Sequence, residues 1–199
     1  MSGDARATIK QRLATVRAQQ RRRTIAVTGA AVVVFGGITA AATVLILQER
    51  SRSSLDAVQT IAVTQREHTT GPVTYPQSPP VGGDHDPAWQ NCGIYRRPLR
   101  AENVVHAQEH GAVWITYRPD LPRDQVEELL ALTRGRDYVI VSPFPGLAAP
   151  VVASAWTKQL TLDGVDDPRL PAFLRAHIQG PATPEPGASC SGGIGEPSA

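Results

Sequence analysis

An uncharged stretch near the N-terminus constrains this chain more than any other feature. Residues 24–47 contain no Asp, Glu, Lys or Arg. At a rise of about 1.5 Å per residue, a helix of this length reaches about 36 Å, enough to cross a hydrocarbon core of about 30 Å. The stretch therefore predicts a transmembrane helix that leaves everything after it on one side of a membrane.

The flanking charges predict the orientation of this helix. Seven Lys or Arg precede the span against the single acid Asp4, and few charges closely follow it. By the positive-inside rule the N-terminus is cytoplasmic and the remainder of the chain is outside. Arg21, Arg22 and Arg23 adjoin the span, where basic side chains contact anionic lipid headgroups.

A cleaved secretory signal would also export the rest of the chain. Its apolar core is usually about 7–15 residues long and ends at a small-residue cleavage site. Here the apolar run continues through residues 44–47, beyond its alanine cluster. We therefore favour an uncleaved signal anchor, which makes the chain a single-pass plasma-membrane protein whose bulk is extracytoplasmic.

Composition divides the chain into five regions. They are a basic cytoplasmic arm (1–23), the transmembrane helix (24–47), a stalk or linker (48–66), an exported domain (67–180) and a Pro/Gly-rich tail (181–199). From Thr70 onward there are ten basic and fourteen acidic residues, so the excess positive charge belongs to the arm. The exported part has no basic stripe with interleaved aromatics, which excludes nucleic acid as its partner. The sequence indicates no particular protein partner.

The exported part predicts an α+β domain. Residues 69–95 hold five prolines and four glycines, which excludes long helices and central strands there. Helical patterns cover 101–110, 122–134 and 168–177, and strand patterns cover 111–118, 138–142 and, as one or two strands, 151–162. We expect a small, mostly antiparallel or mixed sheet packed by two or three helices. The strand order does not follow from these patterns.

Two cysteines, Cys92 and Cys190, both lie in the exported part. In an oxidising compartment an even pair most simply forms a disulfide, which would tie the tail to the body. Two free thiols or a metal thiolate are the alternatives.

Histidine supplies the only candidate chemistry. Residues 106–110 have the form H-x-x-E-H, known from metallopeptidases that bind Zn²⁺ through both histidines and use the Glu as general base. The helix that carries it ends at Gly111, and the downstream acids fall in turns or in the tail, so a third zinc ligand is missing. A metal-dependent hydrolase is therefore disfavoured, and we assign no catalytic residue.

A non-catalytic metal site fits these residues better. His106 and His110 share a helix face, and His85 in the preceding loop could complete a three-imidazole set suited to zinc or copper. Glu109 and His68 are predicted as supporting groups behind the ligands. The alternative is a structural or protein-interaction module of the cell envelope, in which these histidines make scaffold hydrogen bonds.

Several long motifs resemble one known family. They are YPQSPPVGGDHDPAWQNCGIY, VVHAQEHGAVWITYRPDLP, SPFPGLAAPVVASAWTKQLTLD and TPEPGASC, in that order. Over roughly residues 67–192 the chain is similar to actinobacterial membrane proteins grouped as domain of unknown function 3105. The resemblance implies a basic N-terminus, one membrane span and an exported domain. The family pattern includes His68, His85, Cys92, His106, Glu109, His110 and Cys190. Gln108 departs from the more usual apolar residue, and the resemblance supplies no function.

The charge bias predicts the side of the membrane on which the C-terminus lies. A reporter that works only outside the cytoplasm, fused after Ala199, should be active, because the span exports everything that follows it. A cytoplasm-specific reporter at the same position is the control. Activity of the cytoplasmic reporter instead would contradict the assigned orientation.

Overall fold

The computed structural model describes residues 3–198. Along the chain they divide into two compact units, with the boundary between Ser51 and Arg52. The first unit is essentially one helix, α1 (Gly3–Arg52). Within its segment Gln19–Ser51, an 18-residue window has a mean hydropathy of 2.4, and none of that window is buried. Among the described residues, this helix is therefore long and apolar enough to span a membrane.

The described residues of the second unit form six strands and three helices in mixed order. The strands are β1 (Gln59–Thr60), β2 (Gly93–Ile94), β3 (Val113–Tyr117), β4 (Val139–Pro143), β5 (Val151–Ala155) and β6 (Lys158–Leu162). The helices are α2 (Ala101–Glu109), α3 (Arg123–Thr133) and α4 (Arg169–His177). The predicted α+β class is confirmed. The apolar helix α1 ends at Arg52, so the residues that follow it up to β1 are not helical.

The six strands form one mixed sheet in the order β1-β6-β5-β3-β4-β2. Strand β4 pairs in parallel with both β3 and β2, whereas β3–β5, β5–β6 and β6–β1 are antiparallel. The parallel pair β3–β4 is joined through α3, because parallel neighbours need a crossover connection. The two strands at the sheet edges are each two residues long.

Side chains of β3 alternate between two apolar clusters on opposite faces of the sheet. Val113 and Ile115 point to the larger cluster, where α3 and α4 pack; its Phe173 is fully buried. Trp114 points to the smaller cluster, where α2 packs. Both faces of the sheet are thus covered, and each fully buried large apolar side chain stabilises the fold by about 1.5–3 kcal/mol.

Helix α2 is buried along almost its whole length. One side packs on the sheet, and the rest is covered by the Pro/Gly-rich loop before it and by the C-terminal tail. The chain leaves α2 through Gly111, whose φ of +97° is in the region that favours glycine. A Cβ there would also lie 2.6 Å from Nε2 of Gln179. Gly111 therefore lets the segment that follows α4 pack over the end of α2.

The tail is tied to the body by the Cys92–Cys190 disulfide, with a Cα–Cα distance of 5.4 Å. Two backbone hydrogen bonds run beside it, from Cys92 N to the carbonyl of Cys190 at 2.8 Å and from Asn91 N to that of Ile194 at 2.9 Å. Both half-cystines pack against the smaller apolar cluster. The predicted pairing of these cysteines is therefore the one in the structure.

Removing the disulfide should destabilise the domain. For Cys190→Ser in the full chain we expect the free energy of unfolding to fall by about 2–5 kcal/mol, because the cross-link restricts a long loop in the unfolded state. Chemical denaturation measures the change, with the neighbouring exposed variant Ser191→Ala as control. Two reactive thiols in the native, unreduced protein would contradict the pairing.

Candidate metal centre

Helix α2 supplies two chelating side chains from one buried face. His106 is 5% exposed and Glu109 is 4% exposed. Their spacing of three residues places both on the same side of the helix. The motif that the sequence singled out is therefore held in the interior and not on a solvated surface.

The loop before α2 brings His85 to this face. Gly82 and Gly83 precede it with φ values of +139° and +122°, and His85 itself has no exposed surface. This glycine turn brings His85 to α2. A Cβ on Gly83 would lie 3.2 Å from the ring of Tyr75, so this turn is closely packed.

His68 joins the group through a backbone bridge. His68 and His85 form an isolated parallel bridge, with Thr69 N donating to the carbonyl of His85 at 2.7 Å and His85 N donating to that of Glu67 at 3.0 Å. The His68 ring centroid lies 4.9 Å from those of His85 and His106. His68 is the exposed member of the group.

Four side chains could hold one metal ion: His68, His85, His106 and Glu109. Each offers one ligand atom, and these atoms all lie within 4.8 Å of one another. The sequence placed His68 and Glu109 behind the ligands as supporting groups. In the structure one possible ligand atom of each lies in the same group as those of His85 and His106, and the supporting role stays a prediction.

His110 lies next to this group but faces the tail. Its ring centroid is 4.6 Å from that of His106. Its Nδ1 contacts the carbonyl of Ser189 at 2.7 Å, and its Nε2 lies 3.7 Å from a carboxylate oxygen of Glu185. His110 follows the last residue of α2 as its C-cap. The ligand role assigned to His110 from the sequence stays a prediction.

Backbone carbonyls fix the tautomers of the two buried histidines in the group. Nδ1 of His85 lies 2.8 Å from the carbonyl of Gly83, and Nδ1 of His106 lies 2.7 Å from that of Asp86. A carbonyl only accepts, so Nδ1 carries the hydrogen in each ring. In the neutral ring Nε2 then carries a lone pair, which is the state that binds a metal.

Burial keeps His106 in this neutral state. Loss of hydration lowers the pKa of His106 from 6.5 to about 4, and the neighbouring His110, His85 and His68 act in the same direction. The hydrogen bond to the carbonyl of Asp86 opposes the shift only in part. Near neutral pH the His106 lone pair is therefore free.

One contact in the group is not satisfied by hydrogen bonding. Nε2 of His85 lies 3.0 Å from Oε2 of Glu109, yet among the described residues this buried nitrogen has no hydrogen-bond partner, since the contact lacks the alignment of a hydrogen bond. A lone pair on Nε2 and a carboxylate oxygen repel each other unless a proton or a cation lies between them. This orphaned nitrogen is the feature of the site that fits a metal.

The loop that carries His85 is held by a second set of contacts that the sequence analysis missed. Arg100 pairs with Asp86 at 2.5 Å and with Glu102 at 3.3 Å. Hydrogen bonds from the backbone N–H of Ala88 and from Arg100 hold the pKa of Asp86 below its usual range, although burial opposes them. In the sequence, the only indication of this anchor was Asp86, the acid that follows His85 in the segment GGDHDP.

Residues 67–192 match a family described as protein of unknown function (DUF3105). The chain belongs to this family. The match confirms the resemblance to this domain of unknown function over the same residues, which include the whole His/Glu group. No curated protein and no solved structure matches the chain. The description of the DUF3105 family assigns no activity, so a function has to be argued from the site.

The low pKa of His106 predicts a pH dependence of stability in the metal-free protein. The unfolded chain takes up the proton near pH 6.5 and the folded chain only near pH 4. Stability should therefore be full above about pH 6.5 and decline as the pH falls towards 4. Denaturation midpoints of the full chain in the presence of a chelator measure this decline.

The variant His106→Gln should show a shallower decline over the same pH range. Burial also lowers the pKa of His177, so the variant retains part of the dependence. Identical pH profiles for the two proteins would contradict the burial of a neutral His106.

Proposed function

We propose that this domain binds one transition-metal ion, zinc or copper, through His68, His85, His106 and Glu109. In this proposal it is a non-catalytic metal-binding protein of the cell envelope, anchored by helix α1. Compared with the set predicted from the sequence, His68 and Glu109 take the place of His110 beside His85 and His106.

The contact between His85 and Glu109 carries the proposal. A tetrahedral ion with bonds of about 2.0–2.1 Å holds neighbouring ligand atoms about 3.3 Å apart. The 3.0 Å separation of His85 Nε2 and Glu109 Oε2 is close to that value. Two ligands of one ion also do not point at each other, which matches a contact that lacks hydrogen-bond alignment. A proton shared between the two groups would require the alignment that is missing.

The donor set favours zinc or copper over harder cations. Imidazole nitrogens suit Zn²⁺ and Cu²⁺, whereas Mg²⁺ and Ca²⁺ prefer sites made of oxygen. Metal-binding histidines usually donate their second ring N–H to a carbonyl or carboxylate. His85 and His106 both do so, through backbone carbonyls.

The same set argues for a non-catalytic role. Four protein ligands complete a tetrahedral zinc site, whereas catalytic zinc keeps one position for water. In the metallopeptidase reading of H-x-x-E-H, His110 would bind the ion and Glu109 would act as base. Here Glu109 lies among the candidate ligands and His110 contacts the tail. These positions support binding over hydrolysis.

We also propose that α1 crosses the plasma membrane with the N-terminus inside. The apolar segment and the basic residues before it support this orientation. Arg21, Arg22 and Arg23 would then contact anionic headgroups of the inner leaflet.

Metal titration of the full chain in detergent tests the binding site. We expect one equivalent of Zn²⁺ or Cu²⁺ to bind. His68→Ala and His106→Ala should each weaken binding by about 100-fold or more, because each removes a direct ligand and even supporting groups contribute 10–100-fold. His68→Ala is the more informative of the two, since an exposed side chain can be removed with little effect on folding.

Two other histidines serve as matched controls. His177→Ala should leave the affinity unchanged, because His177 lies on α4 outside the group. His110→Ala should weaken binding less than His68→Ala does. Unchanged affinity in His106→Ala would mean that the histidines are scaffold residues. A larger loss in His110→Ala than in His68→Ala would return the site to the three histidines read from the sequence.

A further inference from the structure

The four candidate ligands differ in how firmly the protein holds them. His85, His106 and Glu109 are buried in the body of the domain. His68 is at the end of residues 61–68, which we call the strap. The strap runs from the end of β1 to the bridge with His85.

The strap is attached mainly at its two ends. At one end Ile61 N donates to the carbonyl of Thr157 at 2.9 Å. At the other, Glu67 N donates to Oδ1 of Asp84 at 2.9 Å, and the carbonyl of Glu67 accepts from His85 N. Within the described part of the chain, residues 62–66 make no hydrogen bond, and most of them are exposed. Such a segment can open locally at a small cost in free energy.

The strap also forms one wall of a cavity of about 190 Å³. Residues 73–77 and 80–84 form the rest of its lining. Val63 of the strap lies so close to Gly82 that a Cβ on that glycine would be 2.8 Å from Cγ2 of Val63. Displacement of the strap would therefore uncover this cavity.

We propose that metal binding through His68 closes the strap over this cavity, so that the site acts as a metal-operated clamp. This inference rests on the proposed metal site. A ligand shifts a conformational equilibrium only by its differential affinity for the two states. The closed state offers four ligands to the ion, whereas the open state offers only the three in the body. The ion therefore binds the closed state more tightly and stabilises it.

Thermodynamic linkage gives the size of the effect. The open strap leaves the ion in the same three-ligand site as the variant His68→Ala. At saturating metal, the closing equilibrium should therefore increase by the ratio of the dissociation constants of His68→Ala and the wild type. The fold-change in strap opening is thus fixed by two independently measured affinities.

Hydrogen exchange of the full chain in detergent, with and without Zn²⁺, tests the clamp. The hydrogen-bonded amides at the His68 end of the strap, Glu67 N and Thr69 N, should exchange more slowly with Zn²⁺ in the wild type, by a factor close to that affinity ratio. In His68→Ala, at a Zn²⁺ concentration that saturates it, the same amides should show no slowing. The amides of α3, which contributes no candidate ligand, report global stabilisation and should change much less.

The outcomes separate the two proposals. Zinc binding without slower exchange in the strap would overturn the clamp and leave the metal site standing. Equal slowing in the strap and in α3 would also overturn the clamp, because it would reflect general stabilisation. If neither Zn²⁺ nor Cu²⁺ bound in the accompanying titration, the metal site and the clamp would both be overturned.

Discussion

The burial of α2 is the constraint on which the rest of the domain depends. A short helix enclosed on nearly all sides must find partners for its polar side chains, because an unsatisfied buried polar group costs about 1–3 kcal/mol. Irregular chain supplies these partners: Asn103 donates to the carbonyl of Ala88, Gln108 to that of Pro80, and Glu102 accepts from Val73 N. Gln108 is satisfied only through its amide nitrogen, since its buried Oε1 has no hydrogen-bond partner among the described residues. Hydrogen bonds to the polar groups of α2 order the loop before it. The ordered loop in turn places His85 beside the helix.

The sequence predicted the elements of the domain better than their arrangement. Helices α2, α3 and α4 and strands β3 and β4 were predicted because local periodicity and turn residues mark them. The sheet order was not predictable. Strand β3 pairs in parallel with β4 and antiparallel with β5, and both pairings depend on contacts between residues far apart in the chain. Strand β2 was hidden because two residues within a Pro/Gly-rich segment leave no alternating pattern.

The same division applies to the site. The motif on α2 identified His106 and Glu109 because both follow from helical spacing. It could not show that His110, at the helix end, turns to the carbonyl of Ser189. It also could not bring in His68, whose position depends on a backbone bridge to His85. The carbonyls that fix the two imidazole tautomers carry no side-chain signature, so no motif could have indicated them.

The short outer strands of the sheet have a consequence for how neighbouring molecules meet. An exposed, long and flat edge strand invites pairing with another chain and is a common start of aggregation. Here β1 and β2 offer two residues each, and Ser198 N at the C-terminal end donates to the carbonyl of Ile94 on β2. Under the membrane anchoring proposed for α1, copies of the chain would be confined to one plane and would collide often. Because the edge strands are only two residues long, such copies can pass one another without their sheets pairing.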